Sequence, residues 1–301
     1  MDYKSGKIDL HIHSTASDGS LSPEAILALA AEQDLSAIAL TDHDSVEGVK
    51  TLLNAKSPPH LDILTGVEIS AAPPPAFRLH GSIHILGYGI DVYHQGFNEI
   101  LSQQQQARIN RTPQIIERLN HFGIRVTLAD IRAETGSPQI GRPHIAQWLV
   151  KKGLAASIDD AFDSYLGKGR PGYVEKFRVP VDEAIQQILK AGGLAVLAHP
   201  GLLDLGDAET DERLLLELIA MGLDGIEVYY PGHSAGQQSF FTDLAAKLGL
   251  LITGGTDFHG DINPEIQLGI GRGDLYIPYT IYESVMTVLK KNRSNSIAYG
   301  K

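Results

Sequence analysis

The stretch Ile8-Asp9-Leu10-His11-Ile12-His13, then Ser22-Pro23-Glu24-Ala25-Ile26-Leu27-Ala28-Leu29-Ala30-Ala31, then Ile38-Ala39-Leu40-Thr41-Asp42-His43, sets the architecture. The outer segments are short apolar runs of strand type. The middle one reads as a helix with Ser22 as N-cap and Pro23 in the first turn. Strand, helix and strand in this order make a βαβ unit and hence a parallel sheet. Both strands run into polar ends carrying His and Asp. Working outward, the pattern recurs in Leu64-Thr65-Gly66-Val67-Glu68, Ile83-His84-Ile85-Leu86 and Leu194-Ala195-Val196-Leu197-Ala198-His199. Ile226-Glu227-Val228-Tyr229 and Leu251-Ile252-Thr253-Gly254-Gly255-Thr256-Asp257-Phe258-His259 complete the set. Parallel strands deliver their C-terminal ends to one face, so ligand-type residues at those ends gather there. Seven strands with intervening helices predict an α/β fold, an irregular (β/α)7 barrel.

The alternation stops between 97 and 178. That segment carries helical stretches, Gln103 to Phe122, Arg142 to Lys151 and Ile158 to Leu166, without a strong apolar strand. It reads as an inserted helical cap, leaving 1–96 and 179–301 to the barrel. The rhythm resumes with a helix from Val181 to Ala191. Further helices are expected near Asp211 to Met221, Gln237 to Leu248 and Ile281 to Lys291. Ala71 to Arg78, with three successive prolines, reads as a loop.

A length of 301 residues suits one large domain with an insertion. A hydrophobic fraction of 43% supports an ample core. No apolar run approaches the roughly 20 residues needed to span a bilayer, so no membrane association is expected. The start, Met1 to Lys7, lacks the apolar core of a signal peptide. With 0 cysteines, disulfides and thiolate metal sites are excluded, which suits a cytoplasmic protein. Net charge is -11, yet residues 100–180 carry twelve Lys and Arg against seven Asp and Glu, leaving -16 for the rest. A basic insert on an acidic body suggests local anion binding, with bound cations neutralising part of the body.

His11 and His13 lie two apart in a strand, so both point to one face while Ile12 points to the other. With Asp18, His43, Glu68, His84, His199, Asp257 and His259 they make nine candidate ligands. One ion of four to six ligands cannot use them all, so two or three divalent ions are expected. Imidazole and carboxylate without thiolate suit Mn, with Zn or Fe as alternatives. Glu227 lies mid-strand and is left out of the set.

In order, His11-Ile12-His13-Ser14 with Asp18-Gly19, Thr41-Asp42-His43-Asp44, Gly66-Val67-Glu68-Ile69, Ala198-His199-Pro200 and Thr256-Asp257-Phe258-His259 resemble the PHP (polymerase and histidinol phosphatase) phosphoesterases. The resemblance spans residues 8 to 260. The long insert, Gly141-Arg142-Pro143-His144 and Gly167-Lys168-Gly169-Arg170-Pro171-Gly172-Tyr173-Val174 look like the YciV/RNase AM group, which includes the 3',5'-nucleotide bisphosphate phosphatases. Carried over position by position, the resemblance implies three ions. His11, His13, Glu68 and Asp257 would hold the first; Glu68, His84 and His199 the second; Asp18, His43 and His259 the third.

Two ions sharing Glu68 can bring the pKa of a bound water near neutrality, so a metal-bound hydroxide could attack phosphorus in line without a protein nucleophile. Ser14 and Ser17 are expected to serve turn hydrogen bonds instead. Arg142, His144, Lys168 and Arg170 are candidate substrate contacts, because Arg forks and Gly-flanked amides suit phosphate. His233 follows a strand end and is a candidate to protonate the leaving oxygen or touch substrate. A cap holding one phosphate while the metals cleave another favours adenosine 3',5'-bisphosphate or a similar nucleotide, converted to 5'-nucleotide and phosphate. The alternative is a 5'-to-3' exonuclease acting on the 5'-phosphorylated end of a short oligonucleotide. Histidinol phosphatase, a metal-dependent amidohydrolase and a non-catalytic accessory module fit less well. No obligate protein partner is evident.

Overall fold

Strand β1 (Lys7–Ile12) leads through α1 (Pro23–Glu32) to β2 (Leu35–Leu40), and α2 (Glu47–Asn54) leads on to β3 (Asp62–Ala72). The helix start is as expected, since Ser22 Oγ accepts the Ala25 amide at 3.2 Å. β1, β2 and β3 pair in parallel. The computed structural model describes residues 6–77, 79, 82–135 and 140–298. Met1 to Ser5, Arg78 and His80 lie outside the described residues.

The parallel order breaks at β4 (Ile83–Tyr88), which runs antiparallel to β3 and to β6 (Leu194–Leu197). Only 73–82 separate β3 from β4, fewer than the dozen or so residues that a parallel crossover requires. The chain therefore turns back, and the start of β4 lies at the rim where its neighbours end. After β4 come α3 (Gln95–His121), α4 (Leu128–Thr135), α5 (Arg142–Lys151) and α6 (Ile158–Ala161), the last running into a π-helical turn, Phe162–Leu166. The barrel resumes with β5 (Val179–Pro180), a two-residue strand beside β3 that the sequence reading did not anticipate. Then follow α7 (Val181–Lys190), β6, α8 (Ala208–Met221), β7 (Gly225–Tyr229), α9 (Ala235–Leu248), β8 (Leu251–Gly254) and α10 (Tyr279–Ala298).

Sheet order is β1-β2-β3-β4-β6-β7-β8, with β5 off the path. The two ends of this path meet where Ile12 bridges Phe258 in parallel. Gly255 permits that approach, because a Cβ there would meet the backbone nitrogen and Cβ of His11. Two apolar layers flank the sheet. Ile38, Leu40, Val67, Ile69 and Leu197 pack under the helices. Leu10, Leu86, Tyr88 and Val196 pack on the opposite face with Val285 and Leu289 of α10. Leu10 and Ile12 belong to different layers although two residues apart, and the β1–β2 register slips between Asp9 and Ile12. Such an irregularity re-aims side chains. It lets Leu10 fill the interior while His11 and His13 still reach the rim.

Residue contacts divide the chain into 1–101 with 178–301, and 102–177. The expected start of the insert, 97, falls inside α3, whose first turns bury Phe97, Ile100 and Leu101 in the barrel core. The second unit has its own core, built on Ile115, Leu119, Ile131, Ile145, Trp148 and Leu149. Among the described residues, no helix is long and apolar enough to cross a membrane.

Candidate metal centre

Nine side chains from the ends of the strands converge on the Glu68 carboxylate and its neighbours. Glu68 is 1% exposed. Its Oε2 lies 2.9 Å from His43 Nδ1, 3.2 Å from His13 Nε2 and 3.4 Å from His11 Nε2. Its Oε1 lies 2.8 Å from His84 Nδ1 and 3.2 Å from His199 Nε2. Asp257 Oδ1 stands 3.0 Å from His13 Nε2 and 3.4 Å from His11 Nε2. Asp18 reaches His259 Nε2 at 3.4 Å, His13 Nδ1 at 3.6 Å and His43 Nε2 at 3.8 Å.

His84 reaches this rim because β4 is antiparallel. It is near the strand's beginning and pairs with Ser70, two residues beyond Glu68. His199 and Asp257 both hold the left-handed backbone region, with φ of 30° and 56°. For residues other than glycine this costs on the order of 1–3 kcal/mol and is concentrated at functional sites.

Three sets of these residues have ligand atoms close enough for one ion: His11, His13, Glu68 and Asp257; His43, Glu68 and His84; His13, Asp18, His43 and His259. The first matches the set implied by the resemblance. The second draws in His43, with His199 beside His84 on Glu68 Oε1, and the third adds His13. The donor chemistry fits divalent cations. His11 Nε2, His13 Nε2, His43 Nδ1, His84 Nδ1 and Glu68 Oε2 are all buried without a hydrogen-bond partner. Such orphaned polar atoms are costly in a packed interior. Divalent cations held by these sets would account for them.

Electrostatics point the same way. Burial works against charge on His13, but the adjacent Asp257 and Glu68 carboxylates outweigh it and raise its pKa to about 10. His11 is likewise raised despite burial, by Glu227, Asp257 and Glu68. Glu68 is held well below the carboxylate range: burial opposes this, but His43, His84 and His11 prevail.

Support around the ligands includes residues that the sequence reading passed over. Glu227, excluded as mid-strand, is fully buried and lies 3.0 Å from His11 Nδ1, and it accepts the His199 amide at 2.8 Å. Tyr230 Oη lies 3.5 Å from Asp257 Oδ2. Asp9 accepts the Thr256 and Gly269 amides, both at 2.9 Å, tying the end of β8 to β1. Ser14 and Ser17 donate to Asp42 at 2.8 and 2.7 Å, and Ser14 Oγ also accepts the Ala16 amide at 3.0 Å.

His233 has both ring nitrogens engaged within the chain. Its Nδ1 lies 2.9 Å from the Val228 carbonyl, and its Nε2 accepts the Gly201 amide at 3.1 Å. Those bonds specify a neutral ring with Nδ1 protonated, and burial lowers its pKa further. With Nδ1 donating to the Val228 carbonyl and Nε2 accepting from Gly201, the ring braces the turn after His199.

The four candidate substrate contacts belong to 102–177. Arg142 opens α5, with its guanidinium 5.5 Å from the Phe162 ring. His144 Nδ1 accepts the Gly141 amide at 3.1 Å, capping the same helix. Lys168 and Arg170 are exposed on a turn in which Gly169 has φ of 80°.

The PHP domain model matches residues 9–168. A 5'-3' exoribonuclease Rnm of Escherichia coli K12 is 36% identical over 263 residues, 87% of either chain. A 3',5'-nucleoside bisphosphate phosphatase of Chromobacterium violaceum is 35% identical, over 84% of this chain and 87% of that protein. Among solved structures, a Bifidobacterium adolescentis protein described as a candidate metal-dependent phosphoesterase superposes with a TM-score of 0.73. It is 29% identical, and the match covers 93% of this chain and 95% of that one.

Proposed function

This chain belongs to the PHP family, and from that premise we propose that it removes the 3'-phosphate of nucleoside 3',5'-bisphosphates, leaving 5'-nucleotide and phosphate. The observation that carries the reading is the buried Glu68 carboxylate with five histidines around it, each with an unpartnered buried nitrogen. Two or three divalent ions, manganese first among them, fit these nine side chains. Held there, they would supply Lewis-acid chemistry, bringing water near its ionisation at neutral pH and taking up charge on phosphoryl oxygens. The protein's own part is to present neutral imidazoles and ionised carboxylates at fixed positions and to keep competing donors away. Ser14 and Ser17 are committed to Asp42, which argues against a covalent seryl intermediate.

Arg142, His144, Lys168 and Arg170 are the proposed contacts to the part of the substrate that is not cleaved; His144 would act through Nε2, its Nδ1 being used in the cap. Their replacement by alanine should raise KM while leaving metal content unchanged. A cytoplasmic location belongs to the same reading.

A second activity, 5'-to-3' removal of nucleotides from short 5'-phosphorylated RNA, is favoured by the relative named as an exoribonuclease. Product analysis separates the two. Manganese-loaded protein incubated with adenosine 3',5'-bisphosphate should release phosphate and AMP, whereas short 5'-phosphorylated RNA should yield mononucleotides if the second reading holds. Absence of both products in metal-loaded protein would reject both activities.

A further inference from the structure

Glu227 is fully buried, and both of its carboxylate oxygens are committed to the centre. Oε1 faces His11 Nδ1 at 3.0 Å and Oε2 accepts the His199 main-chain amide at 2.8 Å. The side chain is fully buried in β7, with Glu227 in register with Thr253 of β8. An ionised carboxylate only accepts hydrogen bonds. The contact with His11 therefore requires a proton on Nδ1, which leaves Nε2, 3.4 Å from both Glu68 and Asp257, as the nitrogen that would hold an ion. The contact with His199 pins a left-handed backbone whose ring nitrogen lies 3.2 Å from Glu68 Oε1. His11 and His199 thus stand on opposite oxygens of Glu68, and Glu227 joins them from within the barrel.

We propose that Glu227 is a positioning residue that sets the tautomer of His11 and the backbone of His199 together, coupling the two halves of the metal centre. The proposal rests on the metal-site reading given above. Outer carboxylates that orient ligand histidines commonly govern metal affinity by about 10–100-fold. Glu227 differs from a simple histidine partner in that its second oxygen fixes a ligand on another strand.

The isosteric Glu227→Gln distinguishes this role from plain packing. A glutamine can keep both hydrogen bonds only if its oxygen accepts the His199 amide and its NH2 group donates to His11 Nδ1. That arrangement satisfies every polar atom but moves the His11 proton to Nε2, where it blocks an ion. The variant should therefore fold, melt near the metal-free wild type and bind metal poorly.

Zinc titrated into metal-free protein by calorimetry provides the test, with His11→Asn and His199→Asn assigning the steps of the isotherm. E227Q should weaken the His11-dependent step by about 10–100-fold and spare the His199-dependent step, whereas Glu227→Ala, which removes both contacts, should weaken both. Wild-type affinity in a folded E227Q protein, or loss of the His11 step alone in Glu227→Ala, would overturn the coupling. If E227Q does not fold, nitrogen NMR of zinc-loaded, 15N-histidine-labelled wild type decides, with His11→Asn identifying the resonance. A proton on Nδ1 of His11 upholds the proposal, and one on Nε2 overturns it. A wild type that takes up no zinc or manganese would instead refute the underlying metal reading.

Discussion

His13 illustrates how the protonation state of a single residue links stability to metal binding. Free of metal it holds a proton, since its pKa is raised to about 10 by Asp257 and Glu68 against the pull of burial. Its stabilising share is complete below the ordinary value of 6.5 and is lost as pH climbs toward 10. Glu68 and Asp257 are depressed, so their shares are present above the usual carboxylate range and are lost as pH falls below it. The melting temperature of metal-free protein should therefore decline from about pH 6.5 upward, while metal-loaded protein resists. A flat melting profile for metal-free protein over that span would contradict the assignment. Since ligands must shed protons to bind metal, binding should also release protons and strengthen with pH. Calorimetry in buffers of different ionisation enthalpy measures that release; identical heats in all buffers would argue against it. Glu68→Gln removes the charge shared by five histidines and should weaken metal binding by more than about 100-fold, read as metal retained after dialysis.

At the scale of elements, the strand ends were legible because alternation and polar termini recur in the chain itself. The first βαβ unit, the cap of α1 and the span of α5 all follow from such local signals. The direction of β4 was not so obvious: His84 reads as another strand-end residue whichever way the strand runs, and only the short 73–82 connection hints at reversal. Glu227 was missed for a related reason. Its partner His11 is 216 residues away, and a position in the middle of a strand gives no sign of which distant side chain the register will bring opposite. Closure of the sheet is equally non-local, yet it hangs on one position. Gly255 lies against the main chain of His11, which cannot move aside as the end of a flexible side chain could. Gly255→Ala should destabilise the fold by about 3 kcal/mol or more, at or beyond the usual cost of overpacking, and lower metal affinity with it. Denaturant unfolding and metal retention test this; an unchanged midpoint would mean that the β1–β8 junction is looser than its geometry implies.

The whole molecule combines an acidic barrel carrying the candidate centre with a basic helical unit that has a separate core. Charge counting exposed that division because the insert's excess of Lys and Arg is hidden only in the average. Its exact limits depended instead on packing, since α3 buries its first turns in the barrel before passing into the second unit. Separate cores imply separable stability. Leu149 is fully buried among Ile131, Ile145 and Trp148, and it is far in sequence from every metal-ligand candidate. Leu149→Ala removes most of a packed side chain and should cost about 2–5 kcal/mol, depending on how far the site collapses. The loss should remain local. Amides within 102–177 should exchange faster while β1, β3 and β6 keep their protection, and zinc or manganese stoichiometry should match wild type. If Arg142, Lys168 and Arg170 serve substrate, KM should rise in the same variant as their helical framework loosens. Hydrogen exchange read by mass spectrometry, beside metal analysis on the same sample, makes the distinction. Accelerated exchange throughout the barrel strands, or metal lost in proportion to helix opening, would show that the two units share one cooperative fold.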